Sequence, residues 1–247
     1  MGDQSLELPG VLLRGFEKAV SIQQSPVAGY VARLRRTRPN ATPAEIIAVL
    51  EQRYLATVTG TGAAVGGAAA APVVGTGLAL ALSAGEVVVF FEATALFALA
   101  VAEVHGIRVV DIERRRTLVF AVVLGDSGAM LVEKMAGRKV QHWGELLPDT
   151  IPLSSITSIN KILGRWFLRK YGRKQGMLAL GRLAPFGIGA AIGGAGNRAF
   201  GRTVVRTSRR VFGPPPTSFG EHGTVMIVDG AVSRSSLWSR DGQGRRS

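Results

Sequence analysis

The residues with the clearest chemical potential are two ladders of cations. Lys161, Arg165, Arg169 and Arg173 are spaced by four, as are Arg198, Arg202, Arg206 and Arg210, and Lys170 adds to the first set. On a helix each step of four drifts by about 40°, so four such residues cover one broad face. The chemistry available to that face is electrostatic: it binds anions, either nucleic-acid phosphates or lipid head groups. Between Thr150 and Gly220 twelve Lys or Arg occur without one Asp or Glu, so this region carries nearly the whole net charge of +13. A surface that is only solvated interleaves both signs. The absence of matching carboxylates therefore points to an anionic partner, with plain solvation of a bundle exterior as the competing reading.

Bond-making chemistry is harder to find. His105, His142 and His222 have no metal-ligand spacing, and with no cysteine in the chain there is no thiolate site, disulfide or cysteine nucleophile. The stretch GDSGA (125–129) superficially resembles the surroundings of a serine-protease nucleophile. Here it interrupts an apolar helical run and reads as a bend. Glu92 and Glu103 share one edge of a helix, but eleven residues of rise set them about 16 Å apart, too far for joint acid-base work. The glycine-rich segments lack the Gly-Lys-Ser/Thr ending of a phosphate loop and the strand and acidic residue of a dinucleotide fingerprint. The expectation is a binding protein and not an enzyme, with no cofactor and no metal.

The elements that must position the ladders are helical. Thr42, Pro43 and Glu45 form a capping box ahead of Ile46, Ile47, Leu50 and Tyr54, an apolar stripe at helical spacing. Residues 86–105 form a second apolar helix ended by Gly106, and 117–137 a third with the GDSG interruption. Residues 144–158, rich in Pro, Ser and Thr, are the linker candidate. Opposite the first ladder lie Ile162, Leu163, Trp166, Phe167 and Tyr171. A basic face, an apolar face and aromatics between them describe a helix lying among head groups, with Trp166, Phe167 and Tyr171 as anchors. After Gly213 the chain reads as a Pro/Ser/Arg-rich, largely disordered tail with one short strand candidate, TVMIVDGAV (224–232).

Residues 60–85, GTGAAVGGAAAAPVVGTGLALALSAG, carry no charge and are long enough to cross a bilayer. Three Val and three Leu contribute only about 2 to 4 kcal/mol toward insertion, against Pro72, two threonines and seven glycines. A hairpin of two short helical arms, 62–70 and 73–83, bent at Pro72 and entering one leaflet, fits better than a straight span; tight packing inside the protein is the alternative. Gly62, Gly66 and Gly67 recur in kind as Gly189, Gly193 and Gly194 (GAAVGG and GAAIGG), so both segments read as glycine-zipper hairpins that allow close helix packing. Mean hydropathy is +0.23 with 47% apolar residues, oily for a soluble protein and below a typical polytopic one. The start, MGDQSLELPG, has neither a secretory signal nor a myristoylation pattern, so the expected location is the cytoplasmic side.

In order along the chain, the glycine-rich segment, the aromatic helix ending in HG, IRVVDIERRRTLVFAVVLGDSG and the closing LGRLAPFGIGAAIGGAGNRAFGRTVVRTSRRVF resemble the EcsC family, bacterial proteins named for a member encoded beside an ABC transporter. The resemblance spans roughly residues 45–212. It implies a helical, membrane-associated protein with a role tied to transport or secretion and a membrane-protein partner such as a transporter. It implies no catalytic residue.

The expectation is thus an all-α helical bundle with glycine-rich, kinked apolar hairpins and basic amphipathic helices, associated with a membrane. It comprises a partly helical segment (1–41), the helical domain (42–212) and the tail (213–247). Its partners would be anionic membrane lipids, contacted by the two ladders. A soluble module sheltering acyl chains between its glycine-rich helices is the second reading. Nucleic acid is the third, disfavoured because no recognition motif accompanies the charge.

Overall fold

The computed structural model describes residues 7–22, 24–69, 76–107, 109, 111–125, 127–128, 130, 152–182 and 188–219; within these, the side chains of 7–9, 11–12, 24, 69, 76–84, 170–182, 188–190 and 192 lie outside the description. The described residues form helices α1 (Glu7–Val20), α2 (Gln24–Arg36), α3 (Pro43–Ala69), α4 (Thr76–Val104), α5 (Ile112–Leu124), α6 (Leu153–Arg182) and α7 (Ile188–Phe212), with no strand among them. The fold is an all-α bundle.

Helix α3 begins where the capping box places it. The Thr42 N–H donates to Glu45 Oε2 at 2.7 Å, and the Glu45 N–H donates back to Thr42 Oγ1 at 3.3 Å. The Glu45 carboxyl is held below its ordinary value, first by the Thr42 backbone N–H and then by the Thr42 hydroxyl. A depressed carboxyl stabilises the fold above its unfolded value, and that contribution disappears as pH falls through the folded value. Glu45→Gln should therefore lower the melting temperature at neutral pH, with the gap to wild type closing on acidification. Thr42→Ala should cost about 1 kcal/mol in a denaturant titration.

The two short arms expected around Pro72 are not separate elements. The first is the end of α3, which runs unbroken from Pro43 to Ala69, and the second is the start of α4, which continues to Val104. Each glycine weakens a helix by about 1 kcal/mol relative to alanine, and here packing against other helices offsets that cost. Pro72 lies outside the described residues. Tyr54 meets Thr94 and Phe97 on α4, and the start of α3 borders the end of α4, so the two helices run antiparallel. Helix α4 stops in a glycine cap: Gly106 (φ 74°) donates to the Glu103 carbonyl and Ile107 to that of Ala102, which needs the left-handed conformation at Gly106. The segment Gly85–Val104 is long and apolar enough to cross a membrane, but 72% of it is buried inside the protein. It is the central core helix.

The GDSG stretch interrupts the helical run as expected: α5 ends at Gly125, and Ser127, Gly128 and Met130 are helical again. Gly125 caps α5 with φ 69°, its N–H bound to the Ala121 carbonyl, and Asp111 caps the other end through Oδ1. Asp126 and residues 131–151 lie outside the described residues. The linker expected over 144–158 gives way to helix at Leu153. Thr157 and Ser158 donate their hydroxyls to the carbonyls of Leu153 and Ser154, so these polar residues bond within the helix while Ile156 is buried.

The core does not stop at residue 41. Phe16 of α1 stacks on Phe120 of α5 with ring centroids 3.8 Å apart, and Phe91 of α4 and Phe167 of α6 close the cluster at 5.2–6.2 Å. Val27, Val31 and Leu34 of α2 are buried in the same core. Arg115 donates to the Val20 and Ile22 carbonyls, tying the end of α1 to α5. Beyond α7, Phe219 packs under the Arg35 guanidinium at 3.9 Å. The strand candidate 224–232 lies outside the described residues.

Candidate functional site

The basic face of α7 exists because of what its opposite face does. Helix α7 runs antiparallel to α3, and the two glycine-rich segments, each expected to form its own hairpin, meet each other. A Cβ on Gly62 would lie 2.5 Å from the Gly193 carbonyl oxygen, and one on Gly193 would overlap the Gly62 carbonyl oxygen and lie 3.6 Å from the Gly66 Cα. Gly194 faces Ala63, and Gly201 sits under Leu55 and Val58. Gly67 is half-buried near the end of α3, and Gly189 lies in the first turn of α7.

Between the glycines, buried Asn197 donates through Nδ2 to the Val58 carbonyl at 3.0 Å and to Glu86 Oε1 at 2.7 Å. One amide thus joins α3, α4 and α7 and gives a buried carboxylate a donor, which a buried charge requires.

With Gly193, Asn197, Gly201, Val204, Val205 and Ser208 turned inward, Arg198, Arg202, Arg206 and Arg210 are exposed. Arg209 lies at the boundary and reaches back to α3: its Nε and Nη2 donate to Glu51 Oε1 and Oε2 at 2.7 and 2.5 Å. That hydrogen bonding, together with the Glu51 charge, holds the Arg209 guanidinium above the ordinary arginine value. Glu51 is buried and falls on the apolar stripe of α3. A carboxylate on such a stripe implies a partner, a signal present in the sequence that the ladder pattern obscured.

Helix α6 divides in the same way. Ile156, Ile159, Leu163 and Phe167 are buried, and Asn160 donates to the Glu113 carbonyl and side chain while accepting from Thr117. Lys161, Arg165 and Arg169 are exposed, and Trp166 between them is 44% exposed. Phe167, expected as a surface anchor, is instead fully buried in the aromatic cluster, because it sits one helical step of 100° from Trp166 and faces Phe16. The side chains of Lys170, Tyr171 and Arg173 lie outside the description.

Lys161, Arg165, Arg169, Arg198, Arg202 and Arg206 make no ion pair with another described residue, whereas Arg209 pairs with Glu51, Arg116 with Glu113 and Glu17, and Lys18 with Glu92. These six positions are thus uncompensated among the described residues.

A cleft of about 470 Å³ lies where the start of α3 meets the ends of α4 and α7, lined by Ile47, Glu51, Val101, His105, Ser208 and Phe212 among others. His105 Nδ1 sits 2.9 Å from the Val101 carbonyl, which can only accept, so the neutral ring carries its proton there. Its Nε2 and the Ser208 hydroxyl are buried without hydrogen-bond partners among the described residues. With a carbonyl and not a carboxylate on Nδ1, the arrangement lacks the orienting acid of a nucleophilic triad. His142 and His222 lie outside the described residues, among which no group of three His, Asp or Glu could hold a metal ion. No family model, curated protein or solved structure matches the chain.

Proposed function

We propose that this protein docks on the cytoplasmic face of an anionic membrane through the exposed cations of α6 and α7, as a binding protein with an accessory role in transport or secretion. The observation that carries this reading is the contrast within α7: Arg209, beside α3, has a carboxylate, and the arginines at 198, 202 and 206 have none among the described residues. Each Lys or Arg near an anionic bilayer contributes on the order of 1 kcal/mol.

Geometry limits how the contact is made. From Arg198 to Arg210 the ladder rises about 18 Å along α7, while each head-group layer is only about 5 to 7 Å thick. For the guanidiniums to share that layer, the α7 axis lies within roughly 20° of the membrane plane. Residues 60–69 and 188–197 contain no charged side chain, and the antiparallel packing of α3 and α7 brings these two stretches to the same end of the helix pair. That end enters the interface at the edge of the basic face, with exposed Trp166 as a second anchor. The resemblance to the EcsC family supports the same placement.

The test is sedimentation with vesicles containing phosphatidylglycerol. Arg198→Glu, Arg202→Glu and Arg206→Glu together should weaken binding by 100-fold or more, since about 3 kcal/mol is removed before repulsion is counted. Wild-type binding should fall with added salt. Vesicle binding unchanged by the triple reversal rejects the reading, and transfer of the same charge dependence to RNA but not to vesicles assigns the ladders to nucleic acid.

A further inference from the structure

Away from both ladders, α2 does not fully cover α4. A groove of about 370 Å³ remains between α2, α3 and α4, with Val27, Leu50, Ala93, Leu96 and Phe97 among its walls. Leu96 is 44% exposed along it and Tyr30 39%. The polar groups of the floor are already satisfied: Thr94 Oγ1 donates to the Phe90 carbonyl at 2.7 Å, which leaves the Tyr54 hydroxyl to donate to Thr94 at 2.9 Å. The floor therefore offers a ligand apolar contact and asks for no hydrogen bond.

The rim differs from the floor. Arg53 Nη1 donates to the Tyr30 hydroxyl at 3.0 Å, and the guanidinium lies 5.9 Å from the Tyr30 ring centre. Arg53 makes no ion pair with another described residue. The phenol accepts from Arg53, so its own proton is free to be donated onward. A guanidinium fork and a phenol at the mouth of an apolar trough match a carboxylate at the end of a hydrocarbon chain. The volume lies near the small end of the range for ligand pockets, about 300 to 1,000 Å³, which suits one chain and not two.

We propose that the groove between α2, α3 and α4 binds a single-chain fatty acid, its hydrocarbon along Leu96 and Phe97 and its carboxylate on Arg53 and Tyr30. This site does not depend on the membrane-docking ladders and would serve the protein on or off a bilayer. Exposure of the head group leaves most of the affinity to the chain, so binding should scale with chain length.

The experiment uses the full chain, freed of lipid, titrated calorimetrically with laurate and its C10 and C8 homologues in monomeric solution. Each methylene removed should weaken binding about fourfold, and dodecanol should bind more weakly than laurate. Arg53→Gln should abolish the preference for acid over alcohol. Leu96→Trp, at an exposed position that leaves the fold intact by circular dichroism, and Ala93→Trp should each block both ligands. Wild-type protein that ignores laurate, affinity independent of chain length, binding that survives both tryptophans, or co-purified lipid with two chains in this groove would each overturn the proposal. The α7 charge reversal should leave laurate binding unchanged, and the tryptophan variants should leave vesicle binding unchanged, so the two readings fail separately.

Discussion

Gly193→Val is expected to destabilise the protein by about 3 kcal/mol or more, read as a lower urea midpoint with little change in slope. A Cβ at this position would overlap the Gly62 carbonyl oxygen, and the reciprocal Cβ on Gly62 would lie 2.5 Å from the Gly193 carbonyl. Both obstacles are backbone, so no side-chain rotation relieves them and the helices must part. Overpacking in a close-packed interior costs typically about 1 to 3 kcal/mol, and separating α7 from α3 would also stretch the bonds from Asn197 to Val58 and Glu86. Gly60 supplies the control. It lies on α3, two residues before Gly62, but a Cβ there meets nothing within 4 Å, so Gly60→Ala should stabilise by up to about 1 kcal/mol through helix propensity. Equal effects of the two substitutions would mean that the glycine contact is absent in solution.

Phe167→Ala should cost about 3 to 5 kcal/mol, the usual range for removing a fully buried aromatic. Phe167 touches the rings of Phe16, Phe91 and Phe120, so its loss opens a cavity shared by α1, α4, α5 and α6. At about 2 to 4 °C per kcal/mol for a chain of this size, the melting temperature should fall by roughly 10 °C. Its neighbour Trp166, 44% exposed, should behave in the opposite way: Trp166→Ala should change stability by less than about 0.5 kcal/mol while weakening vesicle binding. A thermal scan of both variants separates the core aromatic from the surface one.

Those adjacent residues also mark how far the sequence could be read. Helix formation was legible wherever the signal is local: the Thr42–Glu45 box, the Gly106 stop, and the four-residue spacing that puts each ladder on one face. Which aromatic of α6 turns inward was not, because the decision is made by Phe16, about 150 residues away in the chain. The glycine segments were misassigned for a similar reason. Small residues four apart announce a close neighbour but not its identity: α3 and α4 do run antiparallel, but the close contact of Gly62 and Gly66 is with Gly193 of α7. Pro72 suggested two short arms, although the helices on either side are long, since a local breaker says nothing about how far the flanking periodicity runs. Glu51 was passed over because a lone carboxylate on an apolar stripe becomes informative only once Arg209 is seen to reach it. The cleft beside His105 and the groove beside Arg53 arise from helices far apart in sequence and leave no linear trace.

The contact between Gly62 and Gly193 has a consequence for the rotation of α7 about its own axis. A roll of one residue, 100°, in one sense would carry position 192, an isoleucine, to the place of Gly193, where even a Cβ would overlap the Gly62 carbonyl oxygen. The angular phase of the arginines is therefore fixed by two residues that carry no side chain at all, and a change in those uncharged atoms would redirect the positive field of the molecule without altering its net charge.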